Sequence, residues 1–235
     1  MNNISLLNKE GLEFLSELED DSIDLVLTDP PYEISRSTGF QESQGENTIE
    51  RFKMSYEFGD WDEQSMDLAP FVQEMYRVLK PHGTCIIFYD LWKITPMSEM
   101  MKASKFKQLR FLEWVKTNPV PINSKINYLT NSREIALLGV KKSKPTFNSE
   151  YDNAIYRYPI YHGKDRFHPT QKSVRLFEDL IKKHSNENDI VLDCFAGSAT
   201  TAIACINTNR SFIGCEVDEP YYVKAQDRID SLIDS

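Results

Sequence analysis

Asp29-Pro30-Pro31-Tyr32 leaves an apolar run at 23–27 (IDLVL) that has the pattern of a buried strand. Two prolines in succession give a stiff corner with no N–H of its own. Such a corner is either a strand stop with a satisfied Asp cap or a built acceptor site. In the second reading the Asp29 carboxylate and the Pro30 carbonyl take the two N–H bonds of an exocyclic amino group on a nucleobase. That nitrogen is a poor nucleophile because its lone pair is delocalised into the ring. Holding both hydrogens favours a pyramidal nitrogen and aims the lone pair at an electrophile, with Pro31 stiffening the corner and Tyr32 stacking on the base. A base inside a duplex cannot reach such a corner, so it must be flipped out.

A second loop, Asp193-Cys194-Phe195-Ala196-Gly197-Ser198-Ala199-Thr200-Thr201, runs from a short apolar strand at 190–192 into a helical pattern. Gly197 lets backbone approach a ligand without a Cβ in the way, and the helix start offers free N–H donors. The next strand ends in Glu216, 216 − 197 = 19 residues past that glycine, where an acid can accept from both hydroxyls of a ribose. The alternative is an ordinary tight strand–helix turn. With no GxGxxG and no basic P-loop, a pyrophosphate or triphosphate fits poorly. An adenosine with an uncharged or zwitterionic tail fits better.

The elements that must position these loops alternate. Leu12, Leu15 and Leu18 mark a helix at 10–18, before the strand at 23–28. A polar stretch at 33–65 is long enough to be a functional or mobile loop. Leu68, Phe71, Val72, Met75 and Leu79 predict a helix over 66–80, stopped at Lys80-Pro81-His82-Gly83, and a strand follows at 84–89. Residues 91–106 read as helical, 111–115 and 134–138 as strands. After 141–168, which shows no clear periodicity, come a helix at 171–184, a strand at 190–192, a helix at 200–207, a strand at 212–214 and a helix at 220–232. Strands alternating with helices imply an α/β fold, a largely parallel sheet covered on both sides. In such sheets ligands bind beyond the carboxyl ends of the strands, where both loops fall.

With 235 residues the chain suits one domain, 40% hydrophobic and 27% charged. No run has membrane-spanning length and the N-terminus has no signal-peptide pattern, so a cytoplasmic protein with no membrane partner is expected. The four cysteines, Cys85, Cys194, Cys205 and Cys215, form no CxxC pair and have no zinc-type spacing; reduced thiols and no metal site are expected. Net charge is −9, yet residues 102–172 hold 14 basic residues against 5 acidic ones. That basic third is either a solvated face or a surface that meets phosphates, with Lys141, Lys142, Lys144, Arg157 and Arg166 interleaved with aromatics.

LTDPPY at 27–32, HPTQKS at 168–173, and DCFAGSATT followed by IGCE at 213–216 occur together in this order. The combination resembles the β group of S-adenosylmethionine-dependent DNA amino-methyltransferases, of the short bacterial and phage type. The likeness extends over nearly the whole chain, including FGDW at 58–61 and EWVKTNPVP at 113–121. The glycine loop follows the DPPY corner, as in the circularly permuted DNA enzymes. The resemblance implies a Rossmann-like methyltransferase fold over 1–235 with a small target-recognition insert at 141–168. It implies transfer of methyl from S-adenosylmethionine to N6 of an adenine flipped out of double-stranded DNA, at a specific site. Cytosine N4 methylation and a non-catalytic DNA- or nucleoside-binding module are the alternatives; an NAD-dependent oxidoreductase would need the missing phosphate glycines. By position, Asp29, Pro30, Pro31 and Tyr32 would hold the base. Phe195, Gly197, Ser198 and Thr200 would line the cofactor, Glu216 would take its ribose, and Asp193 would sit close by. Thr170 and Lys172 would help hold the methionine carboxylate, and Glu10 falls where the family has an Asp facing the adenine. Cys194, Ala199 and Ser173 depart from the usual Pro, Gly and Pro. A homodimer, a partner subunit and a cognate restriction endonuclease all stay open.

Overall fold

The structure, a computed structural model, describes residues 3–31, 66–119, 130–163, 166–168 and 170–234. The chain divides into two compact units, 1–30 with 68–235, and 31–67. The expected loop at 33–65 and Tyr32 lie outside the described residues. The first unit carries, in chain order, β1 (Ile4–Asn8), α1 (Gly11–Glu17), β2 (Ile23–Thr28), α2 (Ala69–Val78), β3 (Leu79–Tyr89), a 3₁₀ turn (Leu91–Lys93) and α3 (Ile94–Ala103). There follow β4 (Lys107–Lys116), β5 (Arg133–Val140), β6 (Ile155–Tyr158), α4 (Val174–His184), β7 (Ile190–Asp193), α5 (Thr200–Asn207), β8 (Ser211–Glu216) and α6 (Glu219–Ile233).

The strands form one sheet in the order β1-β8-β7-β2-β3-β5-β4-β6. Every described pairing is parallel except those of β5, which runs against both β3 and β4. Alternation along the central strands sorts side chains onto two faces. Leu25, Leu27, Ile86 and Phe88 join a core with α4, α5 and α6, where Phe88 stacks on Phe177 at 5.5 Å. Ile23, Val26, Cys85 and Ile87 join a second core with α1, α2 and α3. Burying one such aliphatic side chain is worth about 1.5–3 kcal/mol. Side-chain periodicity therefore fixes which helix lies on which face.

The register of β2 slips around Asp24, whose carboxylate accepts from Lys80 Nζ at 2.8 Å and from the Ile190 N–H at 2.9 Å. Asp24 thus pins three strands at their amino ends. At the other end β7 leads through α5 to β8 on one side, whereas β3 lies on the other side of β2. The crevice between the carboxyl ends of β7 and β2 is the switch point, where such sheets bind ligands.

Two strands have no counterpart in the sequence reading, β1 and β6. They are the two edges of the sheet, five and four residues long, and too short for a period to emerge. The helix expected over 171–184 begins only at Val174, so 170–173 is free to turn beneath the sheet mouth. Among the described residues no helix is long and apolar enough to cross a membrane.

Candidate active site at the mouth of the sheet

Both ends of the switch point are tied by Asp193, at the end of β7. Its Oδ1 accepts from Thr28 Oγ1 at 2.6 Å and from the Phe195 N–H at 3.1 Å; its Oδ2 accepts from Thr201 Oγ1 at 2.6 Å. Burial pushes the carboxyl up from its ordinary range, and these three donors resist that. With both oxygens engaged, Asp193 fixes β2, β7 and α5 relative to one another.

The glycine loop turns sharply after it. Gly197 has φ +51° and Ala199 has φ 56°, both left-handed. An alanine in that conformation costs about 1–2 kcal/mol, which accounts for the glycine that the resembling family keeps at position 199. A Cβ built on Gly197 would stand 3.4 Å from His168 Nε2. The Gly197 N–H donates to Glu216 Oε2 at 2.7 Å and the Asp218 N–H to Oε1 at 2.9 Å. Burial raises the Glu216 carboxyl and the two N–H groups oppose it. Ser198 and Thr200 are buried, their hydroxyls 3.1 Å apart, and Arg228 of α6 donates to the Ser198 carbonyl at 2.7 Å. Phe195 packs on Phe71 of α2 with ring centroids 5.0 Å apart. Glu10 follows β1 beside Glu216, and its carboxylate caps α1 by accepting from the Glu13 N–H at 2.9 Å.

His168 is a candidate that the sequence reading quoted but gave no role. Its ring lies 4.5 Å from that of Tyr221, and the Thr170 N–H is 3.4 Å from Nδ1, so Nδ1 accepts and Nε2 carries the proton on the glycine side. Burial, with Lys172 and Arg166 nearby, holds its pKa down at about 4. The ring is therefore neutral at pH 7. Thr170 itself is exposed.

Asp29 stands just past β2 with its side chain 17% exposed. Its Oδ2 lies 2.9 Å from Lys172 Nζ, while Oδ1 is buried with no hydrogen-bond partner among the described residues. Lys172 also reaches Glu134 Oε2 at 2.7 Å, and Glu134 Oε1 lies 2.6 Å from Lys116. A buried row of alternating charge, Asp29–Lys172–Glu134–Lys116, thus runs across the mouth, with the Lys172 ammonium 5.5 Å from the Phe88 ring centre. Burial raises the Asp29 carboxyl to about 6, with Lys172 pulling it down and Glu134 pushing it up. Burial also raises Glu134, but Lys172 and Lys116 outweigh it and hold that carboxyl at about 2. Sequence reasoning named Lys172 for a cofactor carboxylate; here it bridges two carboxylates of the protein itself. Glu134 and Lys116 carried no signal, since each stands on a strand among ordinary charged residues.

The basic segment separates into two parts. Because β5 is reversed, its last residues return to the amino end of the parallel strands. There Lys141 is buried, 2.6 Å from Asp21, donating to the Arg77 carbonyl at 3.0 Å and lying 4.9 Å from the Tyr76 ring centre. Lys142 and Lys144 follow it, exposed, at the same end. Lys141, expected on a DNA-binding surface, is thus paired inside the protein, and all three lysines lie at the opposite end of the strands from Asp29. The Asn148 side-chain amide caps α4 by donating to the carbonyls of Lys182 and Ser185. Tyr156, expected among interleaved aromatics, is buried in the core. Arg157 and Arg166 are exposed, Arg157 near the carboxyl end of β6 and Arg166 on the way to Thr170.

All four cysteines are buried, and burial pushes the thiols of Cys194 and Cys205 well above their ordinary range. Among the described residues no group of three or more His, Cys, Asp or Glu could hold a metal ion.

Comparison with known proteins gives one answer. A family model described as DNA methylase, N6_N4_Mtase, matches residues 23–227. The chain is 30% identical to Type II methyltransferase M2.DpnII of Streptococcus pneumoniae, over 98% of this chain and 91% of that protein. It is also 30% identical to Type II methyltransferase M.HpaI of Haemophilus parainfluenzae, over 96% of this chain and 74% of that one. Among solved structures, that of the M1.HpyAVI–SAM complex superimposes with a TM-score of 0.71 at 29% identity, covering 96% of this chain and 99% of that one. The PvuII DNA methyltransferase, cytosine-N4-specific, shares the fold with a TM-score of 0.74 at 18% identity, over 97% and 86% of the two chains. A match across most of its length, on a sheet whose switch point carries both loops, makes this chain a member of the N6/N4 DNA methylase family.

Proposed function

We propose that the protein methylates N6 of adenine in DNA, taking the base out of the helix into the corner at Asp29. The observation that carries this is the buried Oδ1 of Asp29, without a hydrogen-bond partner among the described residues, one residue past Thr28, which bonds Asp193. A buried acceptor without a donor is uncommon in folded proteins, and at a strand end by the switch point it suits a ligand donor. The amino group of a base supplies one, and the Pro30 carbonyl, which has no neighbouring proline N–H to compete, takes the second hydrogen.

The residues fit S-adenosylmethionine. The left-handed Gly197 leaves backbone room that a side chain would fill, and Glu216 lies beneath it with oxygens suited to ribose hydroxyls. When bound, S-adenosylmethionine supplies an electrophilic methyl on a sulfonium. The chain's own contribution is positioning: Asp29 and Pro30 orient the nitrogen lone pair, and neutral His168 borders the loop without adding a cation near the sulfonium. On gaining the methyl group the nitrogen would give up one proton, and the Asp29 carboxylate, which accepts one of its hydrogens, would take that proton or pass it to water. Tyr32, outside the described residues, would stack on the base. Arg157 and Arg166 would meet the phosphates at the rim. The setting suggested by the Type II relatives is modification of a defined DNA site.

Incubation of unmethylated plasmid DNA with labelled S-adenosylmethionine, followed by nucleoside analysis, tests the reading. N6-methyladenine is expected. N4-methylcytosine instead would overturn the choice of base, and no transfer at saturating cofactor would overturn the enzymatic reading.

A further inference from the structure

Asp29 does not face Lys172 alone. The Lys172 ammonium is shared between Asp29 Oδ2 at 2.9 Å and Glu134 Oε2 at 2.7 Å, and Lys116 closes on the far oxygen of Glu134 at 2.6 Å. These four groups come from four separate parts of the fold: the end of β2, the turn before α4, the start of β5 and the end of β4. The reversal of β5 matters here, since its first residues rather than its last reach the mouth. Residues this distant in sequence converge only if the folded state holds them together. The ion pair with Arg133 belongs to Glu113, on the same pair of strands, and leaves Glu134 to the two lysines.

We propose that Glu134, backed by Lys116, is a positioning residue for the corner: it anchors the Lys172 ammonium on one oxygen of Asp29, so that the other oxygen stays open to an amino N–H. Without Glu134, the ammonium loses its anchor on that side and can bridge both oxygens of Asp29, which removes the acceptor. Without Lys172, Asp29 is a buried carboxylate with no counter-ion and takes up a proton more readily, which removes the acceptor in another way. Glu134 and Lys172 therefore act on Asp29 with opposite sign. The other charged groups around the corner are Asp193, which favours the protonated form of Asp29, and His168, which is neutral at pH 7 and itself feels Lys172. Neither supplies the lysine's anchor. The role of the open oxygen rests on the function proposed above, whereas the charge coupling does not.

The experiment follows Asp29 directly in the full-length protein. Aspartate is labelled with ¹³C at the carboxyl, the Asp29 signal is assigned by its loss in D29N, and its chemical shift is titrated with pH. The wild-type midpoint is expected near about 6. E134Q should lower it, and K172Q should raise it, each by about one unit or more, the usual reach of a charge in contact. K116Q, one step further out, should also raise it and provides the contrasting arm should K172Q not fold. In parallel, single-turnover methyl transfer to unmethylated plasmid DNA at pH 7.5 should fall in E134Q, where the ammonium bridges both oxygens of Asp29, and in K172Q, where the carboxyl takes up a proton more readily; transfer by E134Q at the wild-type rate overturns the positioning role. A midpoint unmoved in E134Q, or moved in the same direction as in K172Q or K116Q, overturns the proposal. Midpoints that move as expected while the wild-type protein transfers no methyl group support the coupling and count against the function assigned to the corner.

Discussion

Replacing Asp29 with asparagine should make the folded protein more stable at neutral pH while abolishing its chemistry. The folded carboxyl sits at about 6 against an ordinary 3.8, so (6 − 3.8) × 1.36 gives a burden of about 3 kcal/mol when the group is ionised in both states. The sign follows from proton counting. Between pH 3.8 and 6 the folded protein holds a proton on Asp29 that the unfolded chain has released, so stability falls as pH rises through that window. Above it the whole burden is present, and below it none is. Asparagine has nearly the same shape and no charge, and Glu134 retains both lysines in the variant. The expected gain at pH 7.5 is therefore up to about 3 kcal/mol, shrinking to about one third of that by pH 4.5. For a chain of this size each kcal/mol moves the melting temperature by about 2–4 °C, so thermal melts of the two proteins at both pH values suffice. An asparagine variant no more stable than wild type at pH 7.5, or one whose advantage is the same at pH 4.5, would refute the reasoning.

Two further outcomes follow from the geometry. Gly197→Ala puts a side chain at φ +51°, about 1–2 kcal/mol of strain that the free loop can shed by relaxing and must take up again to bind, so affinity for S-adenosylmethionine should drop by up to about tenfold by calorimetry; unchanged affinity would remove the loop from the binding site. Neutralising Arg157 and Arg166 together should reduce the slope of log DNA affinity against log salt by about 2, whereas neutralising Lys142 and Lys144 should leave it unchanged. The reverse ranking would move the DNA surface to the amino ends of the parallel strands.

The parts of this site that were legible in the sequence are those written as local motifs. Asp29 and Pro30 end an apolar strand, Gly197 punctuates a strand–helix turn, and Glu216 follows at a fixed interval, so each announces itself within a few residues. The order of layers was legible too, because six helices show their period and six of the strands carry an apolar run. The rest depends on which strand lies beside which. Lys172 was assigned to a cofactor carboxylate because its motif is local, but its partner Glu134 is set by the pairing of β5 with β3, Phe88 with Ala136 and Tyr89 with Ile135. Lys141 misled for the same reason. One reversed strand sends it to the far end of the strands, and charge counted along a chain does not record strand direction. His168 was quoted within its motif, yet only its distance to Gly197 gives it a place in the site.

The burial of Cys194 has a consequence for a protein that handles a methylating agent. A sulfonium methyl donor alkylates soft nucleophiles, and a thiolate is a far better one than the amino group of a base. Cys194 directly follows Asp193 at the start of the cofactor loop, within a few residues of Gly197. It is only 2% exposed, and burial beside Asp193, Cys85 and Cys215 keeps its sulfur protonated. Withholding both charge and access from this thiol makes Cys194 a poor target for the methyl donor, so thiol alkylation should not compete there with the nitrogen of the base.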